Sequence, residues 1–327
     1  MAETCVHKMP KKIVVIGDLQ GNIEGLDAIL EAAGLVDESG TWAAGDAHLV
    51  QLGDIFGRAS EPKECCDRLR ELARRAANAG GRVHVLLGNH EAEVVHRYEF
   101  ECGAQEYLNF ATQASLAAWE HNRDAAEEAF WDMSEDRSMP ISNLVAAWEL
   151  LHPLGRDEFR AALKPSGQYG RWLCSLPAAI QIGTLLFSHA GLLPKWTGDG
   201  LDALNARARR EMALDAYFAE MPEESILIAP DGPLWCRALA WGGKGVRRAL
   251  AMVLRRHGAA AQIVGHTPTL DGWIHARYSR RVVCVDTGIG QRKSGRLSAL
   301  VVTDGAFWAL YPPKKPRLMG PVPEPLG

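Results

Sequence analysis

The chain has 327 residues, and its content of 47% hydrophobic and 23% charged residues is ordinary for a globular protein in water. Its length permits one large domain or two, and its net charge of −4 gives no electrostatic case for nucleic acid or an anionic membrane as the main partner. The seven cysteines form no C-x-x-C pair, which argues against a disulfide scaffold and a structural zinc site. We expect a cytoplasmic protein, because residues 1–12 lack the apolar core of a signal peptide and no stretch approaches the ~18 apolar residues of a membrane span.

The first hundred residues alternate between strand and helix patterns. Predicted strands cover residues 12–16, 49–52 and 82–87, and predicted helices cover residues 22–33 and 61–79. Asn22 stands where a helix N-cap would lie, and Gly80-Gly81 stands where a C-cap would lie. This βαβαβ order predicts a mostly parallel sheet that is covered by helices.

The character of the chain changes at about residue 101. Residues 101–164 are rich in Ala, Glu and Trp with apolar residues at helical spacing, so we predict a helical insertion there. Short strand patterns follow at residues 178–182, 184–188, 281–285, 298–302 and 306–311, and a helix pattern at 245–256 precedes a strand that ends before His266. Gly183 and Asp304-Gly305 are predicted hairpin turns.

These elements predict an α/β fold of two packed sheets flanked by helices, with residues 1–311 forming a single domain. Residues 312–327 hold six of the seventeen prolines, and we predict an extended Pro-rich tail outside the fold.

Five short segments place polar side chains where a predicted strand ends. Asp18 and Asp54 offer carboxylates, Asn89 offers a carboxamide oxygen, and His189 and His266 offer imidazoles. Two divalent ions held by such oxygen and nitrogen ligands can clamp a phosphoryl group and activate a water molecule. The segments are Gly17-Asp18-Leu19-Gln20-Gly21-Asn22, Gly53-Asp54-Ile55-Phe56-Gly57-Arg58, Gly88-Asn89-His90-Glu91, Ser188-His189-Ala190-Gly191 and Gly265-His266-Thr267-Pro268.

This set of motifs resembles the calcineurin-like metallophosphoesterases and, within them, the phosphoprotein-phosphatase branch. The segments in the second half of the chain are most similar to the bacterial-type phosphatases known as Shewanella-like and Rhizobiales-like. Those segments are Tyr169-Gly170-Arg171-Trp172-Leu173, residues 185–194, Gly232-Pro233-Leu234-Trp235-Cys236-Arg237, and Gly265-His266-Thr267-Pro268 followed by Asp286-Thr287-Gly288. The similarity covers residues 11–311 apart from the helical insertion, and it implies the four-layer α/β/β/α metallophosphoesterase fold.

The resemblance also implies a role for each matching position. Asp54 would bridge two metal ions, with Asp18 and Gln20 completing the first site and Asn89, His189 and His266 completing the second. His90 would be the general acid that protonates the leaving oxygen while a metal-bound hydroxide attacks phosphorus. Arg58 and Arg237 would hold the phosphate oxygens, a role that suits the planar and permanently charged guanidinium. The pattern leaves Asp286 open between a place at the site and a structural strand-end role.

Two positions depart from the family pattern. Gln20 stands where a histidine is expected, and a neutral carboxamide should bind metal less tightly and favour Mn²⁺ or Mg²⁺ over Zn²⁺. Gly57 stands where many phosphoprotein phosphatases carry an aspartate that orients the catalytic histidine, so His90 is expected to lose a supporting partner. Diadenosine-tetraphosphatase-like relatives also lack that aspartate.

The motifs therefore predict a dinuclear phosphomonoesterase with no nucleic acid and no membrane as partner. The resemblance implies that it acts on phosphorylated proteins or peptides, at Ser/Thr, Tyr or both. Its two divalent ions are predicted to be Mn²⁺, with Fe, Zn or Mg as alternatives. Two rival hypotheses remain: a hydrolase of nucleotide or diadenosine polyphosphates, and a non-catalytic member that binds phosphoproteins through Arg58 and Arg237.

Overall fold

The structure is a computed structural model that describes residues 5–58, 61–100, 102–133, 141–290 and 295–326. Its strands in chain order are β1 (Val6–His7), β2 (Lys12–Ile16), β3 (His48–Gln51), β4 (Arg82–Val85), β5 (Ala179–Ile182), β6 (Leu185–Ser188), β7 (Ala261–Val264), β8 (His275–Arg277), β9 (Val282–Cys284), β10 (Ala299–Thr303), β11 (Ala306–Tyr311) and β12 (Lys314–Pro321). Its α-helices are α1 (Ile23–Ala32), α2 (Pro62–Asn78), α3 (Asn89–Val95), α4 (Ala104–Leu108), α5 (Gln113–Met133), α6 (Ile141–Leu151), α7 (Arg156–Leu163), α8 (Gly170–Leu173), α9 (Gly200–Met212), α10 (Ala238–Trp241) and α11 (Val246–Arg256).

The strands form two six-stranded mixed sheets. The first sheet has the order β12-β11-β10-β2-β3-β4, with β2, β3 and β4 parallel. The second has the order β1-β5-β6-β7-β9-β8, with β6, β7 and β9 parallel. Helices flank the sheets, for example α2 beside β4 and α9 beside β5. The predicted fold class, two sheets flanked by helices, is confirmed.

The first βαβ unit shows how local sequence determines these elements. Apolar side chains fill β2, where Ile13 to Ile16 are fully buried. Asn22 ends the loop that follows, and its side-chain oxygen accepts a 2.7 Å hydrogen bond from the backbone N–H of Gly25 at the start of α1. Leu26, Ile29 and Leu30 recur at helical spacing and are buried, so they hold α1 against the sheet.

Four helices, α4 to α7, lie between α3 and α8. Phe159 of α7 is fully buried, and its ring meets those of Phe56, Tyr107 and Phe110 edge-on at centroid distances of 5.1 to 6.3 Å. This aromatic cluster joins α4 and α7 to the loop that follows β3. The end of the helical segment is therefore packed into the core.

The prediction of an extended tail after residue 311 is wrong for most of that segment. β12 pairs antiparallel with β11 along Lys314–Pro321, and Val322 donates a backbone hydrogen bond to the carbonyl of Gly305. Prolines are compatible with this position because β12 is an edge strand, where a missing N–H leaves no neighbour unsatisfied. β1 and β8, both short, are two further strands that the sequence patterns did not predict.

In the described part of the chain, no helix is both long enough and apolar enough to cross a bilayer. All seven cysteines are free thiols.

Candidate metal centre

The parallel strands bring six polar side chains to one edge of the two sheets. In the first sheet Ile16 pairs with Gln51 and Gln51 with Val85, so β2, β3 and β4 end side by side. In the second sheet Ser188 pairs with Val264 and Val264 with Cys284, so β6, β7 and β9 do the same. The loops that leave these six strands carry Asp18, Asp54, Asn89, His189, His266 and Asp286, all of them buried.

His189 is the centre of one half of this group. Its Nδ1 is 2.9 Å from the carbonyl oxygen of Leu52, so Nδ1 carries the proton and donates it. Its Nε2 therefore presents a lone pair, which lies 3.0 Å from Asn89 Oδ1, 3.2 Å from His266 Nδ1 and 3.3 Å from Asp54 Oδ1. Four electron-pair donors thus converge on a small volume that contains no protein cation.

Asp54 is held in place by a buried glutamate. Glu91 accepts hydrogen bonds from the backbone N–H groups of Asp54 (2.8 Å), Ile55 (2.7 Å) and Gly88 (2.9 Å). Gly88 must be glycine, because a Cβ there would lie 2.3 Å from Asp54 Oδ1. Glu91 thereby joins the loop after β3 to the start of α3 and directs the Asp54 carboxylate toward His189.

The other half of the group is built from carboxylates. Asp18 Oδ1 accepts a 3.0 Å hydrogen bond from the backbone N–H of His266 and lies so close to Gly265 that a Cβ there would be 2.5 Å away. The Asp18 and Asp286 side chains are hydrogen-bonded to each other, which requires a shared proton when no cation is present. Asp286 Oδ2 is buried and has no hydrogen-bond partner among the described residues.

The carboxylates in this cluster strongly disfavour one another's charge. Burial, followed by the neighbouring Asp286 and Asp54 charges, raises the pKa of Asp18 well above its usual value. Burial and the nearby Glu91 do the same to the pKa of Asp54, and burial raises the pKa of Asp286 to about 6. Three clustered carboxyl groups can all ionise at neutral pH only if positive charge is placed among them.

The two histidines have the opposite property. Burial lowers the pKa of His189 to about 3, and burial with the neighbouring His189 lowers the pKa of His266 far below its usual value. Both rings are therefore neutral and keep a lone pair, the form in which imidazole binds metal.

This donor set fits divalent cations. Neutral imidazoles, carboxylates and a carboxamide oxygen are the ligands of Mn²⁺, Fe²⁺ and Zn²⁺ sites, and a cation would relieve the repulsion among the buried carboxylates. One group of His, Cys, Asp or Glu in the described residues has ligand atoms close enough for one ion: Asp54, His189 and His266, within 4.8 Å of one another.

Gln20 lies at the edge of this cluster. Its backbone N–H donates a 2.8 Å hydrogen bond to the carbonyl of Asp54, and its backbone is in the left-handed region with φ 48°. Its side-chain Oε1 is buried without a hydrogen-bond partner among the described residues. A buried acceptor without a donor costs free energy unless a proton or a cation satisfies it, as the predicted metal-binding role would do.

His90 has a carboxylate on each side. Its Nε2 is 3.5 Å from Asp54 Oδ2, and its Nδ1 is 3.5 Å from Glu93 Oε2, one helical turn further along α3. Gly57 lies against the same ring: its φ is 95°, and a Cβ there would lie 2.8 Å from His90 Nδ1. The expectation that His90 lacks a supporting carboxylate is therefore corrected, because Glu93 occupies the side that Gly57 leaves open.

Two arginines border the cluster. Arg237 donates to the carbonyl oxygen of His266 at 2.8 Å and to Thr267 Oγ1 at 3.3 Å, and its charge acts on Asp18, Asp54 and Asp286. Arg58 is exposed, has φ 66°, and lies close enough to lower the pKa of Asp286 together with Arg237. Both predicted phosphate-binding arginines thus lie close enough for their charges to act on the carboxylates of the cluster.

Three residues at the site received no role from the sequence patterns. Asp286 follows the apolar strand β9 as Asp54 follows β3, so its position was a usable signal, but the sequence did not show which way it points. Glu91 and Glu93 belong to the same Asn89–Val95 helix, and their spacings were a usable signal: Glu91 is the third residue after the N-cap Gly88, and Glu93 is the third after His90.

A comparison with protein families matches residues 11–270 to the family described as calcineurin-like phosphoesterase. Shewanella-like protein phosphatase 1 of Plasmodium berghei (strain Anka) is 24% identical over 282 residues, which are 85% of this chain and 67% of the relative. Shewanella-like protein phosphatase 2 of Arabidopsis thaliana is 29% identical over 207 residues, which are 61% of this chain and 51% of the relative. The chain thus spans about two thirds of the first relative and about half of the second.

Solved structures include one with the same fold over nearly the whole chain. A cold-active protein tyrosine phosphatase superposes with a TM-score of 0.75, covering 99% of this chain and 83% of that protein, at 22% sequence identity. At this identity the likeness establishes the fold alone.

Proposed function

We propose, from the premise that this chain belongs to the calcineurin-like phosphoesterase family, that it is a dinuclear metal-dependent phosphomonoesterase whose substrates are phosphorylated proteins. The observation that carries the proposal is the convergence of Asp54, Asn89, His266 and the His189 Nε2 lone pair, with the carboxylates of Asp18 and Asp286 buried beside them. Such a buried excess of donors and negative charge costs free energy without cations and suits two of them.

Asp18, Gln20 and Asp54 would hold the first ion, with Asp286 as an added carboxylate. Asp54, Asn89, His189 and His266 would hold the second. The oxygen-rich first site favours Mn²⁺. When bound, the ions polarise the phosphoryl oxygens and lower the pKa of water.

The residues of the chain perform the remaining tasks. Arg58 and Arg237 bind the phosphoryl oxygens and orient the phosphorus. Glu93 holds the proton on His90 Nδ1, which fixes the orientation of the ring, and the protonated Nε2 gives its proton to the leaving oxygen of the substrate.

A phosphorylated polypeptide is the proposed substrate class because both named relatives are called protein phosphatases. The Trp235 ring lies edge-on to His266 at 5.7 Å and the Phe218 ring lies 6.4 Å from Trp235. This aromatic surface beside the cluster is suited to a phosphotyrosine ring as well as to the shorter phosphoserine and phosphothreonine side chains.

The rival proposal of a diadenosine polyphosphate hydrolase rested on Gly57. The argument from Gly57 is weakened because Glu93 places a carboxylate near His90 Nδ1, the role expected of an aspartate at position 57. The non-catalytic rival leaves the first site, weakened at Gln20, without an ion. The buried carboxylates of Asp18 and Asp286 at that site weigh against it, because they repel each other without a cation.

The test is phosphate release by the full chain from phosphoserine, phosphothreonine and phosphotyrosine peptides and from diadenosine tetraphosphate. It is measured after metal removal and again after adding back Mn²⁺, Fe²⁺, Zn²⁺ or Mg²⁺. We expect turnover of phosphopeptides that is lost on chelation and restored by metal, with two ions per chain by mass spectrometry. A strong preference for diadenosine tetraphosphate, or one ion per chain with no turnover of any phosphoester, would refute the proposal.

A further inference from the structure

A cavity lies beside the proposed catalytic centre, between α10 and the loop that follows β7. It has a volume of about 400 Å³, within the range of ligand pockets, about 300–1,000 Å³. Its apolar surface comes from Trp241, Pro268 and Leu270, and its far side carries Asp271 and His275. Asp271 Oδ2 lies 3.0 Å from His275 Nε2, and Arg277 belongs to the same lining.

Two large hydrophobic side chains of this cavity are exposed to solvent. Trp241 is 71% exposed and Leu270 is fully exposed. Contiguous apolar patches on a protein surface often mark sites that bind a ligand or another protein.

The loop that presents Leu270 is held by hydrogen bonds. Thr269 donates its backbone N–H at 3.0 Å and its hydroxyl at 3.3 Å to the carbonyl of Asp286, and Gly272 donates to the carbonyl of Thr269 at 3.1 Å. Because this segment is anchored on the same loop that carries Asp286 into the metal cluster, Leu270 has a fixed position relative to the catalytic centre.

Arg237 connects the cavity to that centre. Its guanidinium donates to the carbonyl of His266 and to Thr267, and it also lies over the Trp241 ring, 5.6 Å from the ring centroid. One face of Trp241 is thus covered by the arginine proposed to hold the phosphate, while the remaining ring surface lines the cavity. A polypeptide whose phosphate is bound by Arg237 would therefore have its neighbouring residues close to this cavity.

We propose that this cavity, lined by Trp241, Pro268 and Leu270, binds an apolar side chain of the substrate polypeptide close to the phosphorylated residue. The inference rests on the proposed function, since it takes the phosphate position from Arg237. A peptide is the occupant because the cavity adjoins the catalytic centre: Thr267 in its lining follows His266, and its Trp241 ring lies beside Arg237. Its exposed apolar side chains suit an apolar residue of such a peptide.

The experiment uses a set of fluorescein-labelled phosphopeptides in which one leucine is moved through three positions on each side of the phosphoresidue. The control for each leucine peptide is the same peptide with aspartate in place of the leucine. Binding to the full chain is measured by anisotropy and hydrolysis by steady-state kinetics, for the wild type and for Leu270→Asp. The control variant is Leu318→Asp, which changes an exposed leucine of β12 (54% exposed) outside the cavity.

We expect one leucine position at which the wild type and Leu318→Asp bind the leucine peptide about tenfold more tightly than the aspartate peptide, as for burial of one aliphatic side chain. In Leu270→Asp that ratio should fall to about one, and the change should be in KM and Kd rather than in kcat. Equal binding of all peptides by the wild type, or an unchanged ratio in Leu270→Asp, would overturn the inference.

The two proposals fail in different ways. Phosphopeptide hydrolysis without any leucine preference would refute peptide binding by the cavity and leave the phosphatase proposal intact. A leucine preference in binding without hydrolysis would refute the phosphatase proposal and leave peptide binding by the cavity intact. Analytical ultracentrifugation of the wild type and Leu270→Asp tests whether a second copy of the chain occupies the cavity instead. A wild-type dimer that the substitution abolishes would assign this face to a second copy and overturn the inference.

Discussion

Two groups of histidines lie at opposite ends of the same pair of sheets. At the end where β6 and β7 stop, His189 and His266 meet Asn89 and three buried carboxylates. At the other end the rings of His7, His48 and His84 have centroids 4.5 to 6.2 Å apart, and His84 Nε2 is 3.2 Å from His48 Nδ1.

The neighbours of the two groups differ in charge. The nearest charged residues that act on His48 are Arg82 and Asp46, and Asp46 is exposed. Among the described residues, only the first group has its ligand atoms close enough to hold an ion. Buried carboxylates and converging lone pairs, rather than the number of imidazoles, therefore distinguish the candidate metal site from the other histidine group, which has no fewer imidazoles.

The largest effect is expected from Asp54→Asn. Removing the carboxylate that meets both His189 and His90 should lower kcat/KM for p-nitrophenyl phosphate on the order of 10³-fold and reduce bound metal. Asp46→Asn, beside the other histidine group, is the matched control and should keep both activity and metal. Wild-type metal content in Asp54→Asn would contradict the proposed bridging role.

Asp286→Asn tests whether the carboxylate that the sequence patterns left open belongs to the site. Its carboxyl is hydrogen-bonded to Asp18 and has one free oxygen, so we expect a loss of metal affinity of about 10- to 100-fold. Metal titration by calorimetry measures this. An unchanged affinity with a lower melting temperature would assign Asp286 a structural role only.

Glu93→Gln tests the support of His90. The neutral side chain should bind the Nδ1 proton less well, and kcat should fall about 10-fold with KM changed less. Gly57→Asp should not rescue this variant, because φ at position 57 is 95° and a Cβ there would press on His90 Nδ1. Rescue would show that position 57 can supply the carboxylate after all.

The second histidine group predicts a pH effect on stability. Burial lowers the pKa of His48 to about 4 and that of His84 to about 3, whereas the unfolded chain titrates near 6.5. Below pH 6.5 the unfolded state therefore binds more protons, and the free energy of unfolding should fall by about 2 kcal/mol per histidine on going to pH 5. Urea unfolding at pH 7 and pH 5 measures it.

His84→Leu is the variant that isolates this group. It removes one proton-binding site from the unfolded state, so the loss of stability between pH 7 and pH 5 should become smaller. An equal loss in the variant and the wild type would place the acid sensitivity elsewhere, for example in the metal cluster.

The smallest effect is expected from Gln20→His. An imidazole in place of the carboxamide should tighten binding of the first ion by about tenfold while leaving the fold intact. Metal titration followed by circular dichroism checks both statements. Unchanged affinity would show that position 20 does not bind the ion.

Much of the site could be predicted because its residues follow strands. The apolar runs before Asp18, Asn89, His189 and His266 mark strand ends, and parallel strands end at one edge of a sheet. The tail after residue 311 was predicted wrongly because prolines are also compatible with an edge strand, and whether β11 offers a free edge depends on the assembled sheet.

The sequence by itself determined which donors are present, where the strands release them, and that positions 20 and 57 depart from the expected pattern. The contact of Glu93 with His90 follows from their three-residue spacing on α3, which places both on one face of the helix. Only the tertiary structure decided that Asp286 joins Asp18, because β9 and β2 belong to different sheets that meet at this edge. Contacts between residues some 270 positions apart depend on how two sheets pack, and local propensity carries no record of that packing.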